Sequence, residues 1–104
     1  MKSKRNSLRR LERNRFSVFY DDLGVCMNCG SRFQPTIHEI FEGSNRQSSM
    51  KYGFTLPLCL GCHRELQDNR EFNDKWKEEA QMYFETRIGT REDFIEIFRR
   101  NYLD

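Results

Sequence analysis

Pro57-Leu58-Cys59-Leu60-Gly61-Cys62-His63 is the stretch from which the rest of the 104-residue chain can be read. A short apolar run passes directly into Cys-x-x-Cys, and a histidine follows at once. A tight C-x-x-C turn points two thiols at one ion. A second such turn, Cys26-Met27-Asn28-Cys29, stands upstream with 29 residues between the pairs. Two turns together supply the closed tetrahedral S₄ set that zinc prefers in a structural role. Gly30 and Gly61 suit the tight backbone such knuckles need. A thioredoxin-like redox pair is the first alternative, disfavoured by the presence of two pairs and the lack of a βαβ pattern. Four free buried thiols are the second. A chain this short has a thin core margin, so a bound zinc would contribute part of the folding free energy.

Working outward, Thr36 to Phe41 reads as a strand, and Phe54 to Leu58 as a second, with Pro57 marking an edge or a strand end. The segment between them, Glu42 to Tyr52, is polar and reads as a long connection. A short helix is expected from the second cysteine pair through His63 to about Gln67. Beyond it, Phe72, Trp76, Ala80, Tyr83 and Phe84 recur at helical spacing, and Gly89 ends that helix. Thr90 with Asp93 resembles a capping box, and Phe94, Ile97, Phe98 and Tyr102 form the apolar stripe of a final helix. Upstream, Leu8 and Leu11 suit a helix, Phe16 to Tyr20 should dock on the body, and Asp21-Asp22-Leu23-Gly24 reads as a turn. The expected organisation is a basic arm, 1–15, and a single α+β zinc-stabilised domain, 16–104, with its core at about 25–68 and a helical tail at about 70–104.

Charge is uneven along the chain. Residues 1–20 carry seven bases, Lys2, Lys4, Arg5, Arg9, Arg10, Arg13 and Arg15, against the single acid Glu12. Residues 21–104 carry eleven bases and fifteen acids. A basic arm on a mildly acidic body suggests an anionic polymer as partner, and the plainer reading is a solvated tail. No apolar stretch approaches the roughly 18 residues of a membrane span. The basic N-terminus has no apolar run after it, so no signal peptide is expected, and the expected compartment is a reducing cytoplasm.

The chain has two histidines, His38 on the first expected strand and His63 beside the last cysteine. An ion clamping both knuckles would clamp hairpin and helix together, and the two rings could face one cleft. Glu39 is adjacent, though strand alternation sends it to the other face.

Cys26-x-x-Cys29, then His38-Glu39-Ile40-Phe41-x-Gly43-x-Asn45-Arg46-x-x-Ser49-x-x-Tyr52-Gly53, then Pro57-Leu58-Cys59-x-x-Cys62-His63, resembles the HNH endonuclease family. More narrowly, it resembles small four-cysteine HNH-like proteins of phages and prophages, whose setting is a bacterial host cell. The resemblance implies a ββα-metal core of two antiparallel strands and a helix gripping a catalytic divalent ion such as Mg²⁺, Mn²⁺ or Ni²⁺. It implies DNA as substrate, with His38 matching the strand histidine that activates water and His63 matching the helix ligand. Arg46, with Asn45 beside it, would contact a phosphate, and the basic arm would hold the DNA backbone. Where many relatives have Asp-His or His-His, this chain has His38-Glu39, so base and ligand roles stay open between them. The usual central Asn position falls near Phe54, and Gln67 stands where a second His or Asn is frequent. These departures imply the alternative of an inactive zinc module that binds DNA or a phage or host protein, as adaptor or inhibitor.

Overall fold

The computed structural model describes residues 4–104, with side chains from Leu8 onward. Lys2 lies outside the described residues, as do the side chains of Lys4 and Arg5. The described residues form an α+β domain with one two-stranded sheet and five α-helices. In chain order these are α1 (Lys4–Arg13), β1 (Pro35–Glu39), α2 (Arg46–Tyr52), β2 (Thr55–Cys59), α3 (Leu60–Leu66), α4 (Arg70–Arg87) and α5 (Arg91–Phe98). No helix among the described residues is long and apolar enough to cross a membrane.

Strands β1 and β2 are antiparallel, with Thr36 opposite Leu58 and His38 opposite Leu56. Alternation gives the sheet two different faces. Thr36, His38, Leu56 and Leu58 lie on the face covered by α3 and α4, where His38 meets His63 and Phe72. Glu39 and Thr55 lie on the other face, which residues 15–18 strap. There Arg15 pairs with Glu39 at 2.6 Å, Thr55 Oγ1 donates to the Phe16 carbonyl, and Ser17 Oγ donates to the Thr55 carbonyl. Val18 N–H donates to Gly53 O. Gly53 sits at φ +73°, and a Cβ there would collide with the Phe16 ring. The site therefore requires glycine twice over, for its backbone angle and for its space.

The main core joins Ile40, Phe41, Phe54, Leu56, Ala80, Phe84, Phe94 and Phe98. Its aromatic rings are closely packed, with Phe41 and Phe98 centroids 4.3 Å apart. A smaller cluster of Cys26, Leu58 and Cys62, flanked by Leu66 and Phe72, lies under the cysteines. Buried aromatics at these contacts carry much of the stability of a small domain.

Three sequence expectations need correction. The polar stretch 42–52 is not a plain connection, because it folds into a 3₁₀ turn at Gly43–Asn45 and then α2. Its anchor is partly polar: beside buried Met50, fully buried Ser49 accepts from Phe41 N–H at 2.8 Å and donates to Phe41 O at 3.0 Å. Tyr102 does not lie on the last helix. Arg99 turns left-handed at φ 71° and ends α5, and Tyr102 packs back on Phe41 from the tail that follows. Buried Gln81 holds that tail, accepting from Tyr102 N–H at 2.7 Å and donating to Asn101 Oδ1 at 2.8 Å. Gly61 is an ordinary helical residue within α3 and needs no special backbone, whereas Gly30 does, at φ +79°. Gly89 does close α4 as expected: the helix ends at Arg87, Gly89 N–H donates back to Phe84 O at 3.0 Å, and its lack of a side chain makes room for the Asp93 carboxylate. That carboxylate accepts from Thr90 N–H, while Thr90 Oγ1 accepts from Asp93 N–H, completing the expected capping box.

Candidate metal centre and the adjoining histidine pair

The first knuckle is closed by backbone hydrogen bonds, Gly30 N–H to Cys26 O and Cys26 N–H to Ser31 O, each 2.9 Å. Met27 N–H donates to Pro57 O at 2.8 Å and ties this knuckle to β2. The second knuckle needs no separate turn, because Cys59 ends β2 and Cys62 sits in the first turn of α3. Leu60 N–H donates to Gln34 O at 2.9 Å, fixing the start of α3 against the approach to β1.

These constraints bring the four sulfurs within 4.8 Å of one another. Metal–sulfur bonds of about 2.3 Å in a tetrahedral cage put ligand sulfurs about 3.8 Å apart, and Cys29 Sγ and Cys59 Sγ are 3.7 Å apart. The four cysteines are thus positioned to hold one metal ion. Their acidities point the same way. Burial opposes charge on Cys26, yet backbone N–H groups of Cys59, Cys29 and Asn28 bring its thiol down to about 6. The Asn28 amide, 3.3 Å from Cys62 Sγ, favours a thiolate there, but Cys59, burial and the other sulfurs push the Cys62 thiol up to about 12. One thiolate forms readily and its neighbours then resist. A cation at the centre removes that conflict, since a coordinated thiol is deprotonated outright.

Immediately beside the cage, His38 from β1 and His63 from α3 meet edge to face with ring centroids 5.3 Å apart. Thr36 Oγ1 donates its only proton to Leu58 O at 2.7 Å, and it lies 2.7 Å from His63 Nδ1. His63 must therefore donate from Nδ1, which leaves Nε2 with its lone pair. His38 is 2% exposed. Burial, then the nearby His63, holds its ring below the ordinary histidine pKa, so it is neutral near pH 7. Phe72 packs on it at 5.9 Å. Asn73 donates from Nδ2 to Gln67 O at 2.9 Å, and its buried Oδ1 completes no hydrogen bond of normal geometry. Its side chain nonetheless favours a proton on the His38 ring.

The other residues singled out in the sequence are placed elsewhere. Glu39 is on the far face of the sheet, 2.6 Å from Arg15 and 3.4 Å from Arg46. Arg46 also reaches Glu12 of α1 at 3.1 Å. Arg15 and Arg46 are thus engaged by carboxylates, and Asn45 donates its amide to Phe98 O at 3.1 Å. Arg9, Arg10 and Arg13 are exposed on α1. Thr36, Asn73 and Asn28 escaped the sequence reading. For Thr36 a faint signal was available, because it stands two residues before His38 and so on the same strand face.

Comparison of the chain with family models, curated proteins and solved structures finds no match.

Proposed function

We propose that this chain is a zinc-stabilised, metal-dependent DNA endonuclease or nickase of the HNH type, built on a ββα-metal core. The observation that carries the reading is the juxtaposition of His38 and His63, 5.3 Å apart and from strand and helix of one β1–β2–α3 unit, next to a four-cysteine cage. The cage is read as a structural zinc site, because an all-sulfur tetrahedral donor set is the closed set zinc takes in structural roles and leaves no open position. A second divalent ion such as Mg²⁺, Mn²⁺ or Ni²⁺ is assigned to the histidines, where it would supply Lewis-acid stabilisation of charge on the phosphate and the leaving 3′ oxygen.

The chain's own residues divide the remaining work. Thr36 fixes the His63 tautomer, so that Nε2 is the coordinating nitrogen. His38 stays neutral, the form required of either a ligand or a base that takes a proton from water. Exposed Arg9, Arg10 and Arg13 of α1 bind phosphates without reading bases. Glu39 is assigned to holding the strap through Arg15 and Arg46, and not to the chemistry.

A second reading has its own support. The covered His38 ring and the engaged Glu39 carboxylate suit a module that kept the zinc fold, lost the chemistry, and binds DNA or a phage or host protein. Plasmid nicking by zinc-loaded protein with each ion in turn separates the two. The nuclease reading expects nicking that His63→Ala abolishes while one zinc and the thermal transition are retained. Equal background nicking by wild type, His38→Ala and His63→Ala with every ion would replace it with the binding module.

A further inference from the structure

Phe33 is 74% exposed, well above any other large apolar side chain among the described residues. The loop that carries it is not slack. Ser31 Oγ accepts from Phe33 N–H at 3.0 Å on one side. On the other, Gln34 O accepts from Leu60 N–H, and Gln34 itself is held at φ 49°, a left-handed angle that a residue with a Cβ adopts at a cost. The fold therefore maintains backbone strain and two anchors to keep an aromatic ring in water. Strain maintained in this way collects at sites of function. Phe33 also stands two residues before Pro35, where β1 begins, the strand that carries Thr36 and His38.

The acids are unevenly spread along the chain on either side of it. Fifteen acids lie in residues 21–104, yet none falls between Asp22 and Glu39 or between Glu42 and Glu65. Those two acid-free intervals hold both knuckles, nearly all of β1, the whole of β2, and α3 as far as Arg64. Arg32, next to Phe33, and Arg64, next to His63, are exposed within them. Arg32 is paired with Asp22 at 3.1 Å, but both partners are more than half exposed, so the pair exchanges readily for a stronger anion.

We propose that Phe33 is a base-stacking platform for DNA with an unpaired nucleotide, with Arg32 leaving Asp22 for the adjoining phosphate. The inference rests on the nuclease reading for its substrate and deepens it, since it selects single-stranded or frayed DNA over intact duplex. An aromatic ring accepts any base, so the stack adds affinity without sequence preference.

The test uses zinc-loaded full chain and a short fluorescent oligodeoxythymidine, followed by anisotropy without any catalytic ion. Phe33→Ala should weaken binding roughly 5- to 150-fold, the ratio that corresponds to removal of one base stack. Phe33→Leu should behave like Phe33→Ala, and Phe33→Trp should restore affinity and lose indole fluorescence when the strand binds. Arg32→Gln should lower the log–log salt slope by roughly 0.7 on a single strand. Zinc content and thermal transition serve as the folding control, since Phe33 and Arg32 touch neither core. Wild-type affinity in Phe33→Ala would overturn the proposal, as would equal weakening on duplex and single strand, or a Phe33→Leu variant that binds normally and so marks a plain apolar contact to a protein. Stacking without nicking in any ion would leave the Phe33 platform standing and remove the nuclease.

Discussion

Thr36 has one hydroxyl and two partners. It gives its proton to Leu58 O and takes one from His63 Nδ1. Thr36→Val keeps the shape and removes both bonds, so the His63 ring is no longer held in one tautomer. The expected result is a 10- to 100-fold loss in Ni²⁺ affinity at the histidine pair, or in nicking rate, with zinc content unchanged. Thr36→Ser should recover most of it, and titration calorimetry on zinc-loaded protein reads the difference. His38 supplies a second expectation. Its folded pKa lies below the ordinary 6.5 because of burial first and His63 second. The unfolded chain therefore takes up a proton that the folded chain resists. Stability falls as pH drops below about 6.5 and levels off only beneath the folded pKa. His38→Gln should flatten this part of the curve of urea midpoint against pH; because both proteins share the cage, the difference isolates the ring. The cysteines were legible in the sequence because their spacing alone implies a shared ion. Thr36 was not, because a strand threonine acquires meaning only when the register sets it opposite Leu58 and α3 brings His63 to it.

Among the elements, α2 shows where pattern reading stops. A buried serine, bonded both ways to Phe41, holds it together with only Met50 and Tyr52, too few apolar residues for a helical stripe, and a hydroxyl leaves no periodic signal. Helices α4 and α5 were legible, because their aromatic spacing and the Thr90–Asp93 cap are local features. Helix α1 yields the prediction at this scale. Residues 15–18 bind the sheet through Glu39, Gly53 and Thr55, downstream of the helix. Deleting residues 1–13 removes six of the seven arm bases and leaves this strap. The shortened chain should keep its zinc and its thermal transition, while DNA affinity drops for all sequences. Every duplex phosphate that the arm no longer neutralises lowers the log–log salt slope by roughly 0.9. An unchanged slope would reduce α1 to a solvated helix.

At the scale of the molecule, the cage joins the two ends of a hairpin that begins after Cys29 and ends at Cys59. The cluster beneath it is small, only Cys26, Leu58 and Cys62 with their flanks, so little else holds this end of the domain. Elemental analysis should find one zinc per chain. Chelation, or Cys59→Ser, should abolish cooperative unfolding, whereas a zinc-free sample with an unaltered transition would refute the assignment. A zinc that binds only the folded chain also makes ambient metal an input to abundance. Each tenfold rise in free zinc above the dissociation constant adds about 1.4 kcal/mol to stability, comparable to a sizeable share of a small domain's whole margin. In a cell that starves for the metal, newly made chains would stay open to proteases, and the amount of working protein would track the supply of zinc without any change in its synthesis.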